Sequence, residues 1–259
     1  MILDDILEET KHWVASCRER VPVGELERQA AATPPARSLA AAIRGARGVG
    51  CIAEFKRRSP SKGWIFQKAD VAQVVPVYAA GGATAISVLT DTPFFGGSLD
   101  DLRKARAAVD LPILRKDFLV DRYQVVEARA AGADAVLLIV AALPDEELRS
   151  LLDEAHRLGM EALVETHDSG EVARALAVGA RIIGVNHRDL RTLTMNMNLA
   201  AEMRPLIPAD CVVVGESGIR TAEDVVRLKT AGIDAILVGE TLMSAKDPAA
   251  ELRQLLGRA

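Results

Sequence analysis

Aromatic residues are scarce in this chain of 259: two Trp, two Tyr and five Phe, 3% in all. That supply is too thin for the stacking platforms that grip single-stranded nucleic acid. Neither sign of charge is in excess. The 32 Lys and Arg against 36 Asp and Glu leave a formal −4, which gives no general attraction to nucleic acid or to an anionic membrane. Cysteine is rare as well. Cys17, Cys51 and Cys211 lie far apart, form no CxxC pair and are odd in number, so no disulfide framework is expected. Cys51 and Cys211 sit in apolar runs and are expected as small core residues. The longest apolar run, 135–143, falls well short of the ~20 residues of a membrane span. The opening "MILDDILEETKHW" is acidic and amphipathic and lacks both regions of a signal peptide. His12, His156, His167 and His187 do not cluster, each is expected at the surface or in a loop, and no His/Cys spacing suits a metal. These absences point to a reduced, cytoplasmic protein with no membrane or nucleic-acid partner. Nothing fixes the oligomeric state, and a monomer is the expectation.

What is present is a repeat. A short apolar run ends in a polar or glycine-rich turn, a helix rich in Ala, Leu, Glu and Arg follows, and a glycine stop such as "AGG", "AGA" or "VGA" precedes the next strand. The strand candidates are "GCIAEF", "AISVL", "PILR", "AVLLIV", "EALVE", "RIIGVN", "CVVVGE" and "AILVGE". The intervening helices are expected over 71–80, 99–109, 124–131, 146–158, 171–178, 199–204, 222–230 and 249–256. Strands that alternate with helices form a parallel sheet, because parallel pairing needs a crossover. Eight such units in about 210 residues predict a closed (β/α)8 TIM barrel. The GxGxxG turn of an open dinucleotide-binding sheet is missing. The first 46 residues carry helical apolar stripes at Leu3, Ile6, Leu7, Val14, Leu26, Leu39 and Ile43, with "ATPPARS" as a break between helices. They are expected to form a helical extension packed on a barrel of residues 47–259, a single domain overall.

The strand ends carry the chemistry. Side chains alternate along a strand, so Ile52, Glu54 and Lys56 share one face of the first strand, and Cys51, Ala53 and Phe55 the other. Two charges on the inner face at the C-terminal end of a barrel strand lie where barrel active sites are built. Alone, they could equally be an ion pair that satisfies itself. Other strands end the same way: Lys116 in phase with Leu114 and Phe118, Glu165 with Leu163, Asn186 followed by Arg188, and Glu216 with Val214. Glu54, Glu165 and Glu216 then face Lys56, Lys116 and Arg188 on one rim, a cluster expected to shift pKa values and mark a site. Glycines after the last two strands, in "GESGI" and "LVGETL", let backbone N–H groups approach an anion. Gly218 and Gly239 therefore predict a phosphate site, and the basic loop "RRSPSKG" is expected to close over the mouth near it, with Ser59 or Lys62 by the anion.

The motifs "EFKRRSPS", "TDTPFFGGSLDDL", "LRKDF", "ADAVLLIV", "ALVET", "GVNHRDL", "GESGI" and "ILVGE" run in order over nearly the whole chain. Together they resemble the indole-3-glycerol phosphate synthases of tryptophan biosynthesis. The resemblance implies a carboxy-lyase that takes 1-(2-carboxyphenylamino)-1-deoxyribulose 5-phosphate, closes the indole ring and releases CO2 and water. It implies Lys116 as the general acid on the ketone and Glu165 as the general base of the later dehydration, with Lys56 as a further essential lysine. It places Glu54, Asn186, Arg188, Glu216 and Ser217 around the substrate, and Phe95, Phe118, Leu137, Leu190 and Leu237 in contact with it. Lys56, Ser59, Gly218, Gly239 and Glu240 would hold the phosphate. No cofactor is implied. His187 falls at a position expected to vary. Glu240 stands where some relatives have a small hydroxyl residue, so its carboxylate is expected to point away from the anion. A Schiff-base aldolase, a sugar-phosphate isomerase and a non-catalytic phosphate binder are the rival readings. Carboxylates beside both lysines count against the first, since they favour ammonium over free amine. The absence of a Cys or Asp at the end of the first strand counts against the second, and the ring of charges against the third.

Overall fold

The computed structural model describes residues 2–189 and 192–258. Three helices come first: α1 (Ile2–Arg20), α2 (Val23–Ala32) and α3 (Leu39–Arg44). Then follow β1 (Gly50–Phe55), β2 (Arg58–Ser59), β3 (Gly63–Trp64), α4 (Val71–Ala80), β4 (Ala85–Leu89), α5 (Leu99–Ala108), β5 (Ile113–Lys116) and α6 (Arg122–Ala130). The second half holds β6 (Ala135–Ile139), α7 (Asp145–Arg157), β7 (Glu161–Thr166), α8 (Ser169–Ala177), β8 (Ile182–Asn186) and α9 (Leu199–Met203). It ends with β9 (Val212–Glu216), α10 (Ala222–Thr230), β10 (Ala235–Val238), α11 (Glu240–Met243) and α12 (Pro248–Leu255).

β1 pairs with both β4 and β10, and every barrel pairing is parallel, so the strand order β1-β10-β9-β8-β7-β6-β5-β4 closes on itself. This is the TIM barrel expected from the repeat. Strand alternation sorts the core into two clusters. Cys51, Ala53, Phe55, Ile86, Val136 and Ile183 pack outward against the helices. Ile52, Leu114, Leu137, Leu163, Val214 and Leu237 fill the interior. The helices start where the sequence supplies caps: Asp70, Ser98, Asp121, Asp168 and Asp247 each accept a first-turn backbone N–H, and Thr221 and Asp224 form a capping box.

The N-terminal helices join the barrel at both ends. Leu3 and Ile6 of α1 and Leu39 and Ile43 of α3 belong to the interior cluster. α3 closes the floor: Glu161, at the start of β7, accepts from Ser38 Oγ and from the Ala40 N–H at 2.8 Å each. α1 and α2 also pack on α6, where Val14 and Leu26 meet Tyr123 and Val126. The break at "ATPPARS" falls between α2 and α3.

The structure differs from the sequence reading at the segment after the first strand. It was expected as a loop and is a two-stranded antiparallel hairpin, with Arg58 opposite Trp64 and Ser59 opposite Gly63. Gly63 supplies the left-handed residue (φ 68°) that lets the chain reverse. His167 and His187 stand in loops, as expected, but not at the surface. His187 is buried, and the side chain of His167 is 5% exposed. Both follow strand ends that turn inward rather than into solvent.

Candidate active site

A cavity opens at the C-terminal ends of the barrel strands. Glu54, Lys56, Ser59, Phe95, Lys116, Phe118, Leu137, Glu165, Asn186, Arg188, Glu216, Ser217, Gly218, Leu237, Gly239 and Glu240 all line it. Of the residues singled out from the sequence, only Leu190 lies outside the described residues. Each polar member stands at or just past the last inward position of its strand, which is why apolar residues precede it.

The charges form two linked groups. Lys116 Nζ donates to Glu165 Oε2 at 2.7 Å and to Glu216 Oε2 at 2.6 Å. Lys56 Nζ lies 2.7 Å from Glu54 Oε1. Asn186 Nδ2 donates to Glu165 Oε1 at 3.1 Å, and its own Oδ1 accepts the Arg188 N–H at 3.0 Å. Burial works against the Lys116 ammonium, but the Glu165, Glu216 and Glu54 carboxylates outweigh it and raise the group above its ordinary value. The two carboxyls that share Lys116 diverge. Burial, with repulsion from Glu165, pushes Glu216 up to about 8 against the pull of Lys116. Burial opposes the Glu165 anion too, yet Lys116 and His167 together hold it well below the usual carboxylate range. Paired acids driven apart in this way are the pattern of acid and base roles in one site.

One wall is apolar. The Phe95 and Phe118 rings stand 6.1 Å apart at 36°, and Leu137 and Leu237 are buried beside them. Asp91 Oδ1 fixes the Phe95 loop by accepting the Phe94 and Phe95 N–H groups at 2.7 and 2.9 Å. The opposite wall is backbone. Ser217 and Gly218 both line the cavity and adopt left-handed φ values, 67° and 75°. For Ser217 that conformation costs about 1–2 kcal/mol; His187 Nδ1 lies 2.9 Å from its carbonyl oxygen and braces it. Burial lowers the His187 pKa, so the ring is neutral and donates this bond through Nδ1–H. Gly239 is the last residue before α11. Ser59, from the hairpin, lines the same cavity. The Glu240 carboxylate lies 3.3 Å from Lys62 Nζ.

Several residues escaped the sequence reading. Leu3 and Ile6 of α1 line the cavity, as do Met195 and Ile219; no local pattern says that a distant helix will lie over the mouth. His167 is a loop residue with no local signal of a role, yet its Nε2 lies 3.4 Å from Glu165 Oε1 and its Nδ1 lies 3.1 Å from Glu171 Oε2. Burial disfavours the charged ring, and the two carboxylates reverse this, pushing it up to about 10.

The model of the indole-3-glycerol phosphate synthase family matches residues 3–255. The chain belongs to the indole-3-glycerol phosphate synthase family. It is 51% identical to the indole-3-glycerol phosphate synthase of Nocardioides sp., over 99% of this chain and 98% of that one. It is 50% identical to indole-3-glycerol phosphate synthase 2 of Streptomyces coelicolor over 99% of both chains, and 48% identical to the enzyme of that name from Roseiflexus sp. over 99% and 98%. The lyase class and the place in tryptophan biosynthesis read from the motifs stand with that membership. More remote structures share the fold alone. A 3-hexulose-6-phosphate synthase superposes with a TM-score of 0.64 at 17% identity, over 81% of this chain and 99% of the other. A thiamine phosphate pyrophosphorylase from Pyrococcus furiosus gives 0.59 at 19%, over 81% and 95%.

Proposed function

We propose that this chain converts 1-(2-carboxyphenylamino)-1-deoxyribulose 5-phosphate to indole-3-glycerol phosphate by general acid–base catalysis. One observation carries the reading: an ammonium, Lys116, held between two buried carboxylates at the mouth of a barrel that has an aromatic wall on one side and exposed backbone on the other. The substrate is flexible, and closing its ring is a positioning problem. The phosphate docks at Ser217, Gly218, Gly239 and Ser59, with Lys56 beside it. The aryl ring lies against Phe95, Phe118, Leu137 and Leu237. The chain between them then bends over Lys116.

In the first step the ring carbon that bears the carboxylate attacks the ketone carbon. The carbonyl electrons move to oxygen, which takes a proton from Lys116. The nitrogen lone pair carries the positive charge as an iminium, and that cation is the electron sink when the carbon–carboxylate bond breaks and CO2 leaves. The new hydroxyl departs as water after taking a proton from a second acid, a role that fits Lys56. Glu165 removes a proton from the carbon next to nitrogen, which completes the indole. Two protons enter and one leaves, so each turnover consumes one proton. Glu216 and Glu54 favour the charged form of Lys116, Glu54 pairs with Lys56, and Asn186 and Arg188 hold Glu165 and the substrate in register.

This chemistry needs no metal and no organic cofactor. We further propose that residues 1–46 serve as an extension of a catalytic barrel at 47–259, and that the protein acts as a cytoplasmic monomer on a diffusible phosphorylated substrate. Support for the first point comes from Leu3, Ile6, Leu39 and Ile43, which share the barrel's interior cluster. No helix among the described residues is long and apolar enough to cross a membrane. The decisive experiment is incubation with the carboxyphenylamino-deoxyribulose phosphate while indole fluorescence is followed. Absence of the fluorescent product would defeat the proposal, and a borohydride-trapped lysine adduct would favour a Schiff-base aldolase.

A further inference from the structure

Glu165 and Glu216 are nearly equivalent about Lys116. Each side chain is 2% exposed, and each places an oxygen within 2.7 Å of the ammonium. Lys116 therefore does not explain why one is held ionised and the other is driven toward its protonated form. The difference lies in their remaining oxygens. Glu165 Oε1 accepts from Asn186 and has His167 Nε2 at 3.4 Å, whereas Glu216 Oε1 has no hydrogen-bond partner.

His167 is set up to stay charged. Its backbone N–H donates to Glu171 Oε2 at 2.8 Å, and the ring Nδ1 reaches the same oxygen at 3.1 Å. Glu171 is itself buried in the first turn of α8. The ring is not among the residues that line the cavity. The charged groups that face the pair are Lys116 from β5 and Glu216 from β9 on the cavity side, with Glu171 from α8 behind. Glu54 from β1 acts on Lys116.

The order of proton transfers makes this arrangement matter. Lys116 gives its proton to the ketone oxygen before Glu165 has to accept one. Once Lys116 is neutral, Glu165 loses the cation at 2.7 Å. A buried carboxylate without a cation is driven toward its protonated form, and a protonated Glu165 is no longer a base. We propose that the His167 ring, clamped between Glu165 and Glu171, is a positioning residue that supplies a fixed positive charge and keeps Glu165 a carboxylate after Lys116 has discharged. The proposal rests on the ring-closing function above, with Glu165 as its base.

The test uses His167→Gln and Glu171→Gln in the full chain, with single-turnover sampling of CO2 and of indole across pH. CO2 release is expected at the unaltered rate in both variants. Indole formation is expected to slow by about tenfold in His167→Gln near neutral pH, and less in Glu171→Gln. The acid limb of the indole-forming step should move up by about 1–3 pH units, because a base that has lost a cation takes up its proton at higher pH. Should His167→Gln fail to fold, Glu171→Gln carries the same readout. Equal slowing of CO2 and indole, or an acid limb that stays in place in a folded variant, overturns the proposal. No turnover by the unaltered protein overturns the function itself. Normal turnover with an unmoved limb removes only the part given to His167.

Discussion

Gly239 lies directly against Glu54. A Cβ built at Gly239 would overlap the Glu54 carboxylate and crowd its Cβ. The same carboxylate pairs with Lys56 at 2.7 Å, so the last strand's glycine sets the position of the first strand's charges. Gly239→Ala should push Glu54 off Lys56 and disturb the adjoining backbone N–H groups. We expect kcat/KM to fall by about 10²-fold, a misplacement effect, with a comparatively small change in Tm. Steady-state kinetics beside a thermal melt separate the two, and a parallel collapse of both would make Gly239 an ordinary turn residue.

Lys116→Met should abolish turnover by ~10²–10⁴-fold or more while substrate still binds through its phosphate and ring. It should also cost stability, because removing one partner of a buried ion pair leaves uncompensated charge, typically ~3–5 kcal/mol. The sign with pH is specific. Without Lys116, burial and the neighbouring Glu165 carboxylate keep Glu216 above its unfolded value of about 4.3, while His167 still faces Glu165. A raised carboxyl loses stability as pH climbs past that value. The variant should therefore approach the unaltered protein at pH 5 and fall furthest behind at pH 8. Denaturant melts at the two pH values decide it, and a deficit independent of pH would contradict it.

Glu165→Gln should stall late. Rapid-quench sampling is expected to find CO2 released and a decarboxylated 3-hydroxyindoline, which has regained its benzene ring but not yet lost water, building up. Unreacted substrate with no CO2 would place Glu165 in the first step with Lys116 and move the dehydration to Lys56.

The alkaline side of the stability profile should carry the signature of His167. Its folded pKa, about 10, lies above the unfolded value. Its contribution is thus complete below about 6.5 and lost as pH rises through about 10. Across that window the unaltered protein should lose more stability than His167→Gln. Parallel curves would show that the ring gains no charge on folding.

Exhaustive chelation and dialysis should leave turnover intact, since both acids and the base are side chains of this chain. Loss of activity restored by an added metal ion would count against the acid–base scheme.

Much of this site is legible because its residues obey a short period. Glu54 and Lys56, Lys116, Glu165 and Glu216 each extend an inward-facing row of apolar side chains, so two-residue spacing alone puts them on one rim. The barrel reads out for the same reason, from glycine stops and strand-length apolar runs. Leu3 and Ile6 do not read out, because where α1 lies depends on contacts with residues more than a hundred positions away. His167 fails differently. It sits past the strand end, where a histidine has no preferred environment, and only the turn of α8 that brings Glu171 back over it makes it a buried cation. Gly184, too, is silent in sequence; the space it leaves is taken by the Glu216 carboxylate.

The closure of the barrel has a consequence for how the chain is made. Gly50 pairs with Ala235, and Asp234 accepts the Gly50 N–H at 2.9 Å, so the first strand waits for the last. During synthesis the N-terminal helices and β1 leave the ribosome long before β10 exists. The apolar faces of Leu39 and Ile43 then have only a partial sheet to cover them. Contacts between such distant parts of a chain form slowly and leave sticky intermediates. The nascent protein is accordingly exposed to aggregation and to chaperone capture until β10 has been added, and a ribosome stalled just before β10 would hold an open, half-wrapped sheet.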